Sequence, residues 1–181
     1  GGGIYAEGGV VRDNVVQSNL QEQINYGHGG GIYAYNALVE GNTVTTNTIA
    51  AQNGVYGGGI YSLVGATRRN VVRSNAANGQ WSGAHGGGIY HVSGGAVDEN
   101  EVLNNRVSAA SNDTWAAGGG IYFADGAGVV RYNRIENNTA NQGGGVYNSG
   151  ALLLGNSITG NHAASNVGGV YWGNYSTVEM L

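Results

Sequence analysis

The chain has 181 residues, enough for one domain, with 36 glycines, no proline, no cysteine and a formal net charge of −4. All seven basic residues are arginine and charged residues make up only 10%, so there is neither the basic patch of a nucleic-acid binder nor the long apolar run of a membrane span. Without cysteine no disulfide staples the fold, and a low-charge chain rich in Gly, Asn, Ser and Thr points to the extracellular space or a cell surface.

Read from its first residue, the chain spells Gly-Gly-Gly-Ile-Tyr at Gly1, then again at Gly29, Gly57, Gly86 and Gly118. The motif returns with valine for isoleucine at residues 143–147, and in looser form at 167–171. Its tyrosines are Tyr5, Tyr33, Tyr61, Tyr90, Tyr122, Tyr147 and Tyr171. Repetition at this period from end to end is the mark of a solenoid. Coils are expected to start near residues 1, 29, 57, 86, 118, 143 and 167, all within one domain spanning 1–181.

Inside each unit runs a second pattern, apolar-x-x-Asn-x-apolar-x-x-Asn. Its first asparagines are Asn14, Asn42, Asn70, Asn100, Asn133 and Asn156; its second are Asn19, Asn47, Asn75, Asn105, Asn138 and Asn161. The apolar positions are mostly β-branched, and no sustained i, i+3, i+4, i+7 stripe occurs, which favours strands over helices. No unit carries enough apolar residues to bury a face alone, so each must be covered by its neighbours. The expectation is an all-β, right-handed parallel β-helix of about six full coils plus a C-terminal half coil, with three short strands per coil. Stacked at about 4.8 Å, these asparagines are candidates for structural amide ladders at corners, and the glycine runs for tight turns of positive φ. The tyrosines are expected to form one outward aromatic ladder.

These motifs resemble the glycine-rich β-helix repeats of bacterial surface proteins, including the polymorphic outer-membrane adhesins, whose repeats read Gly-Gly-Ala-Ile and Phe-x-x-Asn. The resemblance covers essentially all of residues 1–181. It departs in having an aliphatic residue for Phe and no membrane barrel within those residues. It implies a secreted or surface β-helix, and adhesion or scaffolding.

Two residues before each first asparagine stand Arg12, Glu40, Arg68, Asp98, Arg131 and Leu154, so the sign alternates from coil to coil. Glu101 and Arg134 fall on adjacent coils. Opposite charges on neighbouring strands are favourable, and a one-coil slip would set like against like. This reads as a register device rather than a catalytic cleft. Asp98, Glu99 and Glu101 form the one dense acidic cluster, and the arginines explain it. Gly27-His28-Gly29 is similar to the Gly-His-Gly of polygalacturonases, but that family's Asp-Asp and Arg-Ile-Lys motifs are missing and Arg134-Ile135-Glu136 is a poor substitute. His28 and His85 also share one place in the repeat, before a glycine run. No catalytic residue, metal site or cofactor is therefore assigned. The calcium-binding nonapeptide, zinc-ligand spacing and the phosphate-loop lysine are all absent. Sequons occur at Asn112, Asn137 and Asn174, as chance allows in so asparagine-rich a chain.

The segments between the second asparagine and the next glycine run vary in length. They are long at residues 20–28, 48–56, 76–85 and 106–117, and short at 139–142 and 162–166. Insertions at one corner project from one side of a solenoid. Their aromatics Tyr26, Tyr56, Trp81 and Trp115 are candidate ligand-contact residues, against the plainer role of covering the solenoid's flank. The chain begins at a repeat boundary without a methionine and closes on half a unit, with no polar cap evident at either end. A fragment, a disguised cap or subunits stacked head to tail would each account for this. Gly1, Ile4, Tyr5, Tyr171, Trp172, Tyr175, Val178, Met180 and Leu181 are the candidate subunit interface.

The resulting expectation is a non-enzymatic extracellular structural protein that stacks on itself head to tail into a filament. The alternative is an adhesin or carbohydrate-binding segment with glycans as partners, and the third reading is a polysaccharide lyase or hydrolase.

Overall fold

The computed structural model describes residues 1–23, 25–110, 115–125 and 127–173. Among these it is all β, without a helix, and its strands stack in parallel as a β-solenoid of about six turns. Four parallel sheets run along the axis rather than three. The glycine motif supplies one edge of the first sheet, with Ile4, Ile32, Ile60, Ile89, Ile121, Val146 and Val170 in register. The strand before the first asparagine joins the same sheet, and in two coils both merge into single strands, Ile32–Glu40 and Ile60–Arg68. The second sheet contains Val15–Gln17, Thr43–Thr45 and their successors, and the third Leu20–Gln23, Thr48–Ala51 and theirs.

The fourth sheet corrects the expectation of projecting loops. Tyr26–His28, Gly54–Tyr56, Ala84–His85 and Ala116–Ala117 are stacked strands, built from the long segments after the second asparagine. Their small apolar residues face inward. Val55, Ala84 and Ala116 pack with Ile49, Ala77 and Val107 as a second hydrophobic column, separate from the main one of Val44, Ile60, Val72, Ile89, Val102, Ile121 and Ile135. The long segments thus widen the solenoid into two lobes, and the short segments of the last coils end the second lobe at Ala140.

The corners turn on left-handed residues. The residue before each first asparagine has positive φ: Asp13, Gly41, Arg69, Glu99, Tyr132 and Gly155, at 54–66°. Ser18, Thr46, Ser74, Asn104, Asn137 and Gly160 do the same before the second asparagines. The ladder asparagines are not themselves left-handed; their side chains stabilise a corner made by the preceding residue. In the glycine run the first residue takes positive φ, as at Gly29 with +66°. The third is glycine for a different reason: a Cβ on Gly59 would lie 2.7 Å from the Gly88 carbonyl oxygen and 2.9 Å from both Asn75 Nδ2 and Val72 Cγ1.

Candidate functional site

Two asparagine columns run the length of the solenoid. Asn42 shows the pattern: its Nδ2 donates to Asn70 Oδ1 at 3.0 Å and to the Val11 carbonyl at 2.9 Å, and its Oδ1 accepts from the backbone N–H and the Nδ2 of Asn14, both at 3.0 Å. Asn70, Asn100 and Asn133 repeat this in one column and Asn47, Asn75, Asn105 and Asn138 in the other, all with 1% exposure or less. Every donor and acceptor of these buried amides is used, which is what burial of an amide requires. Each column also has a direction. From asparagine to asparagine the backbone N–H and one Nδ2 hydrogen donate to the Oδ1 of the following, C-terminal coil, while the other Nδ2 hydrogen reaches back to a carbonyl of the preceding coil, so Asn14 and Asn19 have Oδ1 atoms that accept nothing among the described residues. Asn156 and Asn161 have one side-chain donation each, to Val130 and Ile135 carbonyls.

Outside the first sheet, the seven motif tyrosines form one stack from Tyr5 to Tyr171, with ring centroids 4.6–5.4 Å apart and planes within 15°. Tyr5 is 61% exposed and Tyr171 half-buried, at opposite ends of the stack. A second ring column, His28–Tyr56–His85, stands on the fourth sheet at spacings of 5.2 and 5.6 Å. The two meet edge to face, His28 against Tyr61 at 4.8 Å and Tyr56 against Tyr90 at 5.0 Å. Burial pushes the Tyr122 phenol up to about 12, raises Tyr90 as well, and holds His85 down at about 4. His28 is lowered by burial first and by the chain's amino terminus second. Both imidazoles are accordingly neutral at pH 7.

The alternating charges lie in register, Arg12, Glu40, Arg68, Asp98, Arg131 and Leu154 on successive coils. Contacts form at some steps only: Arg68–Glu40 and Arg131–Asp98 are each 3.2 Å, whereas Arg12 lies 3.9 Å from Asp13 as its carboxylate contact. In the acidic cluster Glu99 meets Arg69 at 3.7 Å and Glu101 meets Arg134 at 3.9 Å, while Arg134 holds Glu136 more closely at 2.7 Å.

Of the candidate contact residues, Tyr26, Trp81 and Trp115 are 59%, 66% and 58% exposed. Tyr56 is half-buried within the ring column and, with Tyr26, His28, Tyr61 and Tyr90, lines an open groove of about 400 Å³. Of the candidate interface, Gly1 and Tyr5 are exposed and Ile4 half-buried on the first coil, and Tyr171 and Trp172 half-buried on the last. Tyr175, Val178, Met180 and Leu181 lie outside the described residues, as do the sequons at Asn112 and Asn174. Asn137 is exposed at a corner.

Sequence reasoning missed a second groove, of about 410 Å³. It is lined by Glu22, Gln23, Gln52, Asn78 and Gln80 together with the small residues Ala50, Ala51, Gly79 and Ala110. Aligning the coils one strand further along would have shown amide side chains recurring at this level. Also unforeseen is an inward column beside the tyrosines, where Ala34, Ser62, His91, Phe123 and Asn148 are fully buried. His91 stacks on Phe123 at 5.0 Å and its Nε2 lies 2.7 Å from the Gly94 carbonyl oxygen, a bond that fixes Nε2 as the donor in the neutral ring. Among the described residues no group of three or more metal-ligating side chains is gathered, and no helix is long and apolar enough to cross a membrane. No protein-family model, curated protein or solved structure matches the chain.

Proposed function

We propose that this chain is a non-catalytic structural β-solenoid of the extracellular space or a cell surface, of the kind its glycine-rich repeats resemble, and that copies of it join coaxially into a filament. The observation that carries the reading is the pair of asparagine columns, one-directional through six coils. Buried amides whose every valence is met make a stiff rod, and a one-directional ladder is complementary to a copy of itself displaced along the axis, a heterologous, non-closing contact of the kind that generates fibres. The pairing of Asp98, Glu99 and Glu101 with arginines supports a structural role for the acidic cluster. Electron microscopy of the purified protein tests the filament. Fibres with an axial rise of about 30–34 Å, near seven coils at strand spacing, are the expected result, lost in the Asn14→Leu/Asn19→Leu double variant. Single particles at all concentrations would refute coaxial joining.

A second reading, an adhesive or carbohydrate-binding segment, is favoured by the exposed side chains of Tyr26, Trp81 and Trp115. It is compatible with the rod, because a solenoid flank stays free when its ends are covered.

A further inference from the structure

We infer that the amide-walled groove between Glu22 and Ala110 binds a neutral saccharide chain lying parallel to the solenoid axis, an assignment that deepens the second reading above and rests on it. The groove crosses coils one to four, three steps of strand spacing, and so is about 14 Å long. That length and its volume of about 410 Å³ suit a short run of sugar rings.

The chemistry of the walls selects the ligand. Four of the lining residues, Gln23, Gln52, Asn78 and Gln80, carry primary amides. A primary amide donates and accepts side by side, the pattern offered by neighbouring hydroxyls. Asn78 spends its Oδ1 on the Ser108 hydroxyl at 2.7 Å, and its Nδ2 makes no bond among the described residues. Among the described residues no arginine lines the groove and Glu22 is its one carboxylate, so none of them would attract an acidic polymer or a phosphate. An extended peptide is disfavoured too. Strand addition needs a free sheet edge, whereas here the chain crosses sheets whose backbone groups are already bonded from coil to coil.

The groove is also held in shape. The backbone N–H groups of Gln80, Trp81 and Ala110 donate to the carbonyls of Ala51, Gln52 and Gly79 at 3.0, 2.8 and 3.0 Å. These bonds lock the turns that carry the wall residues, so little ordering is needed on binding. They also hold the backbone of Trp81, which follows Gln80 in the chain and whose side chain is 66% exposed. Turned toward the groove, its indole would supply the flat apolar face that sugar C–H groups pack on. The inner rings of the tyrosine stack, Tyr33 to Tyr147, cannot serve in that way, because their faces are covered by one another.

Affinity electrophoresis in gels containing soluble neutral polysaccharides (a β-glucan, a galactomannan, an α-glucan) tests the assignment, with an acidic galacturonan as comparison. The expected result is retardation by at least one neutral polymer and none by the galacturonan. Trp81→Ala and Gln52→Ala/Gln80→Ala should each weaken it roughly tenfold or more, at unchanged melting temperature, and Tyr132→Ala, at an exposed corner that does not line the groove, should leave it intact. Retardation by the acidic polymer alone, or by none, would overturn the inference. Retardation lost in Tyr26→Ala/Trp115→Ala but kept in the groove variants would overturn the groove while leaving the carbohydrate-binding reading standing.

Discussion

Replacing one interior ladder asparagine should cost far more than replacing the same residue at the end of its column. Asn75 makes four side-chain hydrogen bonds: Nδ2 to Asn105 Oδ1 and to the Val44 carbonyl, and Oδ1 from the backbone N–H and the Nδ2 of Asn47, each 3.0 Å. In Asn75→Ala the Asn47 N–H loses its acceptor inside the protein, at about 1–3 kcal/mol. The other partners are hit less hard, since Asn105 Oδ1 keeps the Asn75 N–H and Asn47 Nδ2 keeps the Val16 carbonyl. With net values of about 1 kcal/mol or less for those bonds and a small cavity, the total is about 3–5 kcal/mol. Asn14 Nδ2 donates to Asn42 Oδ1 and to the Arg12 carbonyl, but its Oδ1 accepts nothing among the described residues and the side chain is half-buried, so Asn14→Ala should cost about 1 kcal/mol or less. Asn75→Asp isolates the bonding from the cavity. It keeps the volume but sets a carboxylate oxygen against Asn105 Oδ1 and the Val44 carbonyl, and at pH 7 it should be at least as damaging as the alanine variant. Urea denaturation followed by circular dichroism gives the comparison, with a loss of 3–5 kcal/mol being a large share of an ordinary domain's stability of about 5–15 kcal/mol. Equal midpoints for Asn75→Ala and Asn14→Ala would refute the claim that the buried amides hold the coils together.

Val64 is a β-branched residue at φ 59°, where the preceding coil has Asn36 at 50°; Val64→Asn should raise stability by about 1 kcal/mol by relieving left-handed strain, seen as a higher melting temperature. The His85 imidazole is held at about 4 against an ordinary 6.5 by burial. A folded pKa below the unfolded one means that the unfolded chain takes up the proton first. Stability is therefore complete above about 6.5 and falls as pH drops from there through about 4, and His85→Gln should flatten that part of a urea-midpoint-versus-pH profile. Arg131 reaches the largely buried Asp98 at 3.2 Å, while Arg12 makes no contact with Glu40. Arg131→Leu should then cost about 1–2 kcal/mol and Arg12→Leu next to nothing in the same denaturation assay.

The repeat made much of this legible. A period written in glycines, tyrosines and asparagines forces successive coils into one register, because each coil's inward residues must meet their counterparts. That is why the tyrosine stack, the asparagine columns and the alternation from Arg12 to Leu154 could be aligned by counting. Counting could not tell which residue turns the corner. The left-handed position falls on Asp13, Arg69, Glu99 and Tyr132, types with no shared signature, because the following amide's hydrogen bonds compensate the backbone. Nor could it show that residues 20–28 and their equivalents are strands. Their inward positions carry only Gly27, Val55, Ala84 and Ala116, too little apolar surface to announce a strand one coil at a time. They become a core only when stacked opposite Ile49, Ala77 and Val107. The amide groove arises in the same way: Glu22 and Gln23, Gln52, Asn78 and Gln80 are dispersed polar residues along the chain, and only the coil-to-coil stacking of the folded solenoid lines them up along one axis.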